Sequence, residues 1–391
     1  MSDTYDVTII GAGIHGAGVA QAAVAMGYST LVLEESAVAG ATSSRSSKLI
    51  HGGLRYLEQA QLGLVRECLR ERELLLRLAP DLVHLRSFRI PVYEHTRRRP
   101  WQLRAGLSLY AMLAGLGKHA HFRTLPRNTW DGLDGLQTRG LQAVFEYQDG
   151  QTDDVALTQA VLHSAMGLGA ELRVPARFLG AEHDGARVQI RYAEGDRERA
   201  CTSQVLVNAA GPWVSQVAAL IHPALPEVHV DLVQGSHLLL DIPARDSIYY
   251  MEVPEDGRAV FLMPWRGMSL LGTTESLYTG TDPGAVAPRP DERQYLLRLM
   301  EHYFPQLPFK MVADFAGLRV LPRDSARPFE RGRELILQSD HAKHPRVLSL
   351  YGGKLTSYRA DSEKVMARLR PALPERRARA DTSRLPLKPV S

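Results

Sequence analysis

Three glycines and one acid near the start of the sequence carry the first recognisable chemistry. In YDVTIIGAGIHGAGVAQAAVAMGYSTLVLEE, Gly11, Gly13 and Gly16 fit the spacing G-x-G-x-x-G, with Ile14 between them, and Glu34 closes the next apolar run. This spacing suits a dinucleotide pyrophosphate. Gly11 permits a tight turn, Gly13 lets the backbone approach the phosphates, and Gly16 lets a helix pack closely on a strand. The free N–H groups of a helix N-terminus then face the phosphate charge. Glu34 can accept hydrogen bonds from ribose hydroxyls, which favours an unphosphorylated adenosine ribose. The fingerprint by itself leaves FAD and NAD both open.

The elements around these residues are the ones the chemistry requires. Asp6 to Ile10 is a short β-branched run that reads as a buried parallel strand. Ala17 to Met26 is rich in small, helix-compatible residues, and Thr30 to Leu33 reads as the next strand. Downstream, small and hydroxylated residues fill Gly40 to Ser47, suited to a segment lying against a cofactor. Lys48, His51 and Arg55 then bring basic groups beside Gly52 and Gly53. Gln61 to Ala79 has the spacing of an amphipathic helix stopped by Pro80, and Phe88 to Tyr93 reads as a strand entering a second domain. Further strands are expected over Glu171–Val174, Arg187–Tyr192 and Val205–Asn208, and helices over Val155–Gly167 and Asp291–Tyr303.

Ala41 to Glu58, ATSSRSSKLIHGGLRYLE, closely resembles the flavin-binding segment of the FAD-dependent glycerol-3-phosphate dehydrogenases. VFEYQDGQTDD, VNAAGPW, QGSHLLLD, DFAGLRVL and LSLYGGKLTSYR resemble further segments of that family and extend the likeness over nearly the whole chain. The resemblance moves the cofactor from NAD to FAD. It implies an α/β fold like that of D-amino-acid oxidase: a Rossmann-like FAD-binding domain interleaved with a β-rich substrate domain. The first would comprise residues 1–87, 145–228 and 335–375, the second 88–144 and 229–334, with a tail over 376–391. The implied cofactor contacts are Gly11, Gly13, Ile14, Gly16, Glu34, Thr42, Ser43, Ser47, Lys48, Leu49, Ala210, Gly211, Gly353, Lys354, Leu355 and Thr356.

The activity implied by the resemblance is oxidation of sn-glycerol 3-phosphate to dihydroxyacetone phosphate, with quinone as the expected acceptor. A phosphate monoester needs several cationic donors, and arginine suits it through its planar fork. Arg55, Arg319 and Arg331 would supply them, with Tyr56 and Thr274 orienting the substrate. His237 would assist loss of the hydroxyl proton, and Lys354 would stabilise negative charge on the reduced flavin. Arg319 is placed with His237 and Lys354 at the reacting end. Glu275 stands where the family usually has Asp, and Val320 where proline is usual. These departures leave open a related flavoprotein acting on an amine, amino acid or other hydroxy compound; a third reading is a flavin-binding protein that lost catalysis with the family's C-terminal module.

Composition sets wider bounds. A chain of 391 residues holds two domains or one large domain with an insertion. Its net charge of +4 is mild, and no nucleic-acid partner or metal site is expected. Cys68 and Cys201 lack metal or redox spacing and read as buried thiols of a reducing cytosol. No run approaches the roughly 20 apolar residues that span a bilayer, and the first residues do not read as a signal peptide. The expected location is cytoplasmic, or peripheral on the cytoplasmic face of the inner membrane. Arg97–Arg99 ahead of Trp101–Leu116 carries two readings: a buried helix behind a solvated basic loop, or a surface helix in the lipid interface. Longer members of the resembled family continue with a helical C-terminal domain, which is not expected here.

Overall fold

The computed structural model describes residues 3–324, 331 and 334–390. The strand Asp3–Ile10 lies inside a sheet of nine strands among the described residues, parallel to Thr30–Leu33 on one side and to Arg197–Asn208 on the other. Both its faces are covered, which is why Asp6 to Ile10 is a continuous buried run. The helix Ile14–Ala25 is almost wholly buried, between the sheet and the helices Asp154–Gly167 and Tyr358–Leu369. Its small residues make that fit. A Cβ at Gly18 would stand 2.5 Å from Ser362 Oγ.

A second sheet of ten strands among the described residues forms the other lobe. Val83–Tyr93 runs antiparallel to Leu141–Thr152 along its whole length. Val230–Leu240 pairs with Met311–Pro322 and with Met268–Gly272, setting Val233 opposite Arg319 and His237 opposite both Phe315 and Gly272. The expected two-lobed α/β architecture is therefore present, but two boundaries move. Breaks at 87/88 and 144/145 fall inside strands of the second sheet, and Leu49–Ile50 also belongs to that sheet. Polar residues His84, Arg86 and Ser87 hide the first half of Val83–Tyr93 from an apolar-run reading. The tail 376–391 is docked along its described part: Arg376 pairs with Asp6 at 3.0 Å, and Leu387 is buried with its N–H donating to Leu78 O.

Residues 41–51 cross between the lobes, and their contacts revise several expected roles. Thr42 donates to Leu318 O at 2.7 Å, and Arg45 donates to Ala316 O at 3.2 Å. The Lys48 side chain points into the first lobe. Its ammonium is buried, 2.8 Å from both oxygens of Asp154, at the start of the helix Asp154–Gly167. Ser46 donates to the same carboxylate by both N–H and Oγ. Leu49 is a buried strand residue. Both cysteines are free and buried, as expected, and burial pushes the Cys68 thiol up to about 11.

Lys48→Met should therefore destabilise the protein by about 3–5 kcal/mol, because it strands a buried carboxylate. Adding Asp154→Leu should restore most of that loss. Urea unfolding of the wild type and both variants checks this, and a near-neutral single substitution would show that the pair holds nothing in place.

Candidate active site

The glycine turn is built by close backbone approach. Gly11 has φ of +99°, and a Cβ there would stand 2.7 Å from Ala209 O. A Cβ at Gly16 would stand 1.9 Å from Gly11 O, so only glycine closes this strand–helix junction. Glu34 accepts from Ala12 N at 2.8 Å and from Ser36 N at 2.9 Å, which fixes its carboxylate beside the turn. Ser43 Oγ accepts from Ile14 N at 2.9 Å and holds the crossing segment over Gly13. Ala210 and Gly211 follow the strand Arg197–Asn208 and are partly exposed. Asn208 is wholly buried and donates to Val214 O and Ser349 Oγ, so it shapes that loop from beneath.

On the facing side Gly352 and Gly353 both have positive φ, and a Cβ at Gly353 would stand 2.4 Å from His15 Nε2. Thr356 Oγ1 accepts from His51 N at 3.1 Å, and Leu355 beside it is partly buried. Lys354 Nζ is buried without a hydrogen-bond partner among the described residues and lies 3.8 Å from the centre of the Tyr56 ring. His237 Nδ1 is likewise buried without a hydrogen-bond partner among the described residues. A glycine-lined turn, an acid beside it and an unpartnered ammonium fit a flavin dinucleotide in both shape and charge. His15 escaped notice in the sequence, although it occupies a variable place of the fingerprint, and its Nε2 lies 3.5 Å from Asp361.

The expected substrate residues divide. Arg55 and Arg319 converge on one carboxylate, Glu275, at 3.4 and 3.2 Å. The Glu275 side chain is 5% exposed, against 24% and 22% for the two arginines. Tyr56 joins Arg55 to Lys354, with the guanidinium 5.8 Å from its ring centre. Arg331 is held elsewhere, paired with Asp231 at 2.6 Å and donating to Asp324 O at 2.8 Å. Its expected neighbours Glu330 and Gly332 lie outside the described residues. Thr274 also turns away: its buried hydroxyl donates to Glu292 at 2.9 Å and accepts from Ser236 N. Its neighbour Thr273 meets the site instead, with Oγ1 3.3 Å from Arg319.

His237 is stacked on Phe315, with ring centres 4.9 Å apart, and its Nε2 lies 3.1 Å from Ser47 Oγ. Gly272 makes the room, since a Cβ there would stand 2.2 Å from His237 Cδ2. Burial first, and then the positive charges of Arg319 and Lys48, push the imidazole well below its ordinary range. His237 is therefore neutral at neutral pH. Its Nε2 shares a hydrogen bond with Ser47 Oγ, while Nδ1 has no hydrogen-bond partner among the described residues.

The sequence profile of the FAD dependent oxidoreductases matches residues 6–359. The aerobic glycerol-3-phosphate dehydrogenase of Escherichia coli (strain K12) is 36% identical, over 94% of this chain and 74% of its own length. The chain is a member of the FAD-dependent glycerol-3-phosphate dehydrogenase family. The D-erythritol 1-phosphate dehydrogenase of Brucella abortus (strain 2308) is 34% identical, over 95% of this chain and 75% of its own. In structure, the glycerol-3-phosphate dehydrogenase from Bacillus halodurans complexed with FAD superposes with a TM-score of 0.77. That likeness covers 98% of this chain and 68% of the other at 24% identity, and it speaks for the fold.

As an FAD-dependent glycerol-3-phosphate dehydrogenase family member with a neutral His237, this protein should show a flat acid limb. At saturating substrate, the rate constant for flavin reduction should not fall as pH drops through about 6.5, the ordinary histidine value. Protonation of a group with a depressed pKa comes only at more acid pH. Anaerobic stopped-flow reduction across a pH series reads this. A midpoint near 6.5 that disappears in His237→Asn would contradict the neutral-imidazole assignment.

Proposed function

We propose that the protein oxidises sn-glycerol 3-phosphate to dihydroxyacetone phosphate. The observation that carries this reading is the meeting of Arg55 and Arg319 on Glu275, next to the unpartnered Lys354 and the neutral His237. Among the described residues the site gathers Arg55, Arg319 and Lys354 about Glu275, and cationic donors of this kind suit a phosphate monoester. When bound, FAD supplies the acceptor for the hydride. The substrate must also lose its hydroxyl proton, and His237 Nδ1 is the acceptor for it. Arg319 lies between these tasks: it touches Glu275 and Thr273, and its charge depresses His237. Tyr56 has both Lys354 and Arg55 over its ring, at 3.8 and 5.8 Å from its centre, and links the two charges. Arg331 supports the strand behind Arg319 through Asp231 rather than binding phosphate itself.

Steady-state kinetics with a dye acceptor tests the substrate. Glycerol 3-phosphate should be turned over and glycerol barely, because the phosphate holds the reacting carbon in place. Arg319→Ala should lower kcat/KM by roughly ten- to hundredfold, the worth of about 1.5–3 kcal/mol for a charged hydrogen bond. Arg331→Ala should change it much less. Equal use of glycerol would sink the phosphate reading, and faster turnover of erythritol 1-phosphate would transfer it to the four-carbon ester.

We also propose quinone as the acceptor and peripheral contact with a membrane. The helix Pro100–Leu113 buries Leu107, Tyr110 and Ala111, while Trp101 is 70% and Met112 59% exposed on the opposite stripe. Leu116 just beyond is 65% exposed. No described helix is long and apolar enough to cross a membrane. The arginines ahead of the helix are partly committed: Arg98 pairs with Glu58 and Glu252, and Arg99 donates to Glu94 O. The apolar stripe would therefore carry most of the attachment. The protein should float with anionic liposomes, and Trp101→Ser with Met112→Ser should abolish flotation. Wild-type protein that stays at the bottom at low salt would remove the membrane proposal.

A further inference from the structure

Glu292 is a buried carboxylate on the helix Pro290–Tyr303, 4% exposed and touching none of the substrate residues. Its Oε2 accepts from Gln234 Nε2 at 2.5 Å, Ser236 Oγ at 2.8 Å and Arg289 N at 3.1 Å. Its Oε1 accepts from Thr274 Oγ1 at 2.9 Å and Ser276 Oγ at 2.8 Å. An ionised carboxylate has about four lone-pair sites, so this one is saturated by its donors. Burial alone would raise its pKa, but the hydrogen bonds from Arg289 N, Ser276, Ser236 and Thr274 hold it below the ordinary carboxylate value. The group stays charged and acceptor-only, and the helix N-terminus adds to that.

The donors are the back of the substrate site. Side chains alternate along extended chain, so neighbours point to opposite faces. Val233, Gly235 and His237 share the face of Arg319, whereas Gln234 and Ser236 turn to Glu292. Thr273 and Glu275 reach Arg319, whereas Thr274 and Ser276 turn to Glu292. Every second residue of both segments is held by one carboxylate, and the residues between them are the site.

We propose that Glu292 is the positioning residue of the substrate site, fixing from behind where His237, Thr273 and Glu275 stand and so where Glu275 holds Arg55 and Arg319. The inference rests on the proposed reading of those residues as the substrate site. Thr274 then acts through Glu292 rather than by touching substrate, and Glu292→Gln is the sharp variant. It keeps the volume while replacing an acceptor oxygen with an N–H group that faces hydroxyl and amide donors.

The test uses holoenzyme and rate constants per bound flavin, which a smaller folded fraction does not change. With glycerol 3-phosphate under anaerobic single turnover, Glu292→Gln should retain its flavin. Its saturating reduction rate should fall roughly ten- to hundredfold, in line with a misplacement of about 1 Å. Ser276→Ala with Ser236→Ala, a milder loss of two donors, should fall in the same direction and covers the case in which Glu292→Gln does not fold. Titration with inorganic phosphate, read through the flavin spectrum, tests the arrangement apart from turnover and should show weaker saturation in the variants. If wild-type flavin is not reduced by glycerol 3-phosphate, the substrate reading fails, and the phosphate titration alone decides on Glu292. Wild-type rates per flavin in the variants, or unchanged phosphate saturation where no turnover exists, overturn the proposal.

Discussion

One carboxylate shared by two arginines ties together three segments on the second-sheet side of this protein. Arg55 belongs to the segment that leaves the cofactor crossing, and Arg319 lies on a long strand near the other end of the sequence. Both meet at the 5%-exposed side chain of Glu275. Two guanidinium groups facing one another without that acid would repel. The triad is self-consistent only when the crossing segment, the Thr273–Ser276 segment and the strand Met311–Pro322 are all in register.

The cofactor side is organised differently. There the backbone does the work: Gly11 against Ala209, Gly16 against Gly11, and Gly353 against His15 leave no space for a side chain. The charges of that side are few and specific, with Glu34 held by two amides and Lys354 buried against Tyr56. The Lys48–Asp154 pair fastens the crossing segment to the first lobe, and Thr42 and Arg45 fasten it to the second. The segment that resembles a flavin-binding motif is thus as much a hinge pin between lobes as a cofactor surface.

These differences explain what could be read from the sequence. The glycine turn was legible because backbone approach dictates residue type at fixed spacing, and Gly11, Gly13, Gly16 and Glu34 sit where that spacing puts them. His237 was legible only through its neighbours, since Phe315, Gly272 and Ser47 come to it from three other segments. The side-chain partners of Lys48 and Thr42, Asp154 and Leu318 O, lie more than a hundred residues along the chain and leave no local mark in the sequence. Thr273 and Thr274 are alike in type, and because extended chain turns adjacent side chains to opposite faces, the sequence does not say which of them faces Arg319. Arg331 shares its type with Arg319, but Asp231 claims it. The breaks at 87/88 and 144/145 failed because polar residues in Val83–Tyr93 mask a strand that long-range pairing completes. Glu292 carried no signal beyond its place in the first turn of a helix.

Arg319 and Glu275 act as one unit toward the substrate in the proposed site. A double-mutant cycle tests that most directly, with Arg319→Ala, Glu275→Gln and the double variant compared on half-saturation by glycerol 3-phosphate in anaerobic flavin reduction. Residues in one such network couple by about 0.5–3 kcal/mol, and the account predicts a coupling in that range. Effects that add to within about 0.3–0.5 kcal/mol would show two independent residues and contradict it.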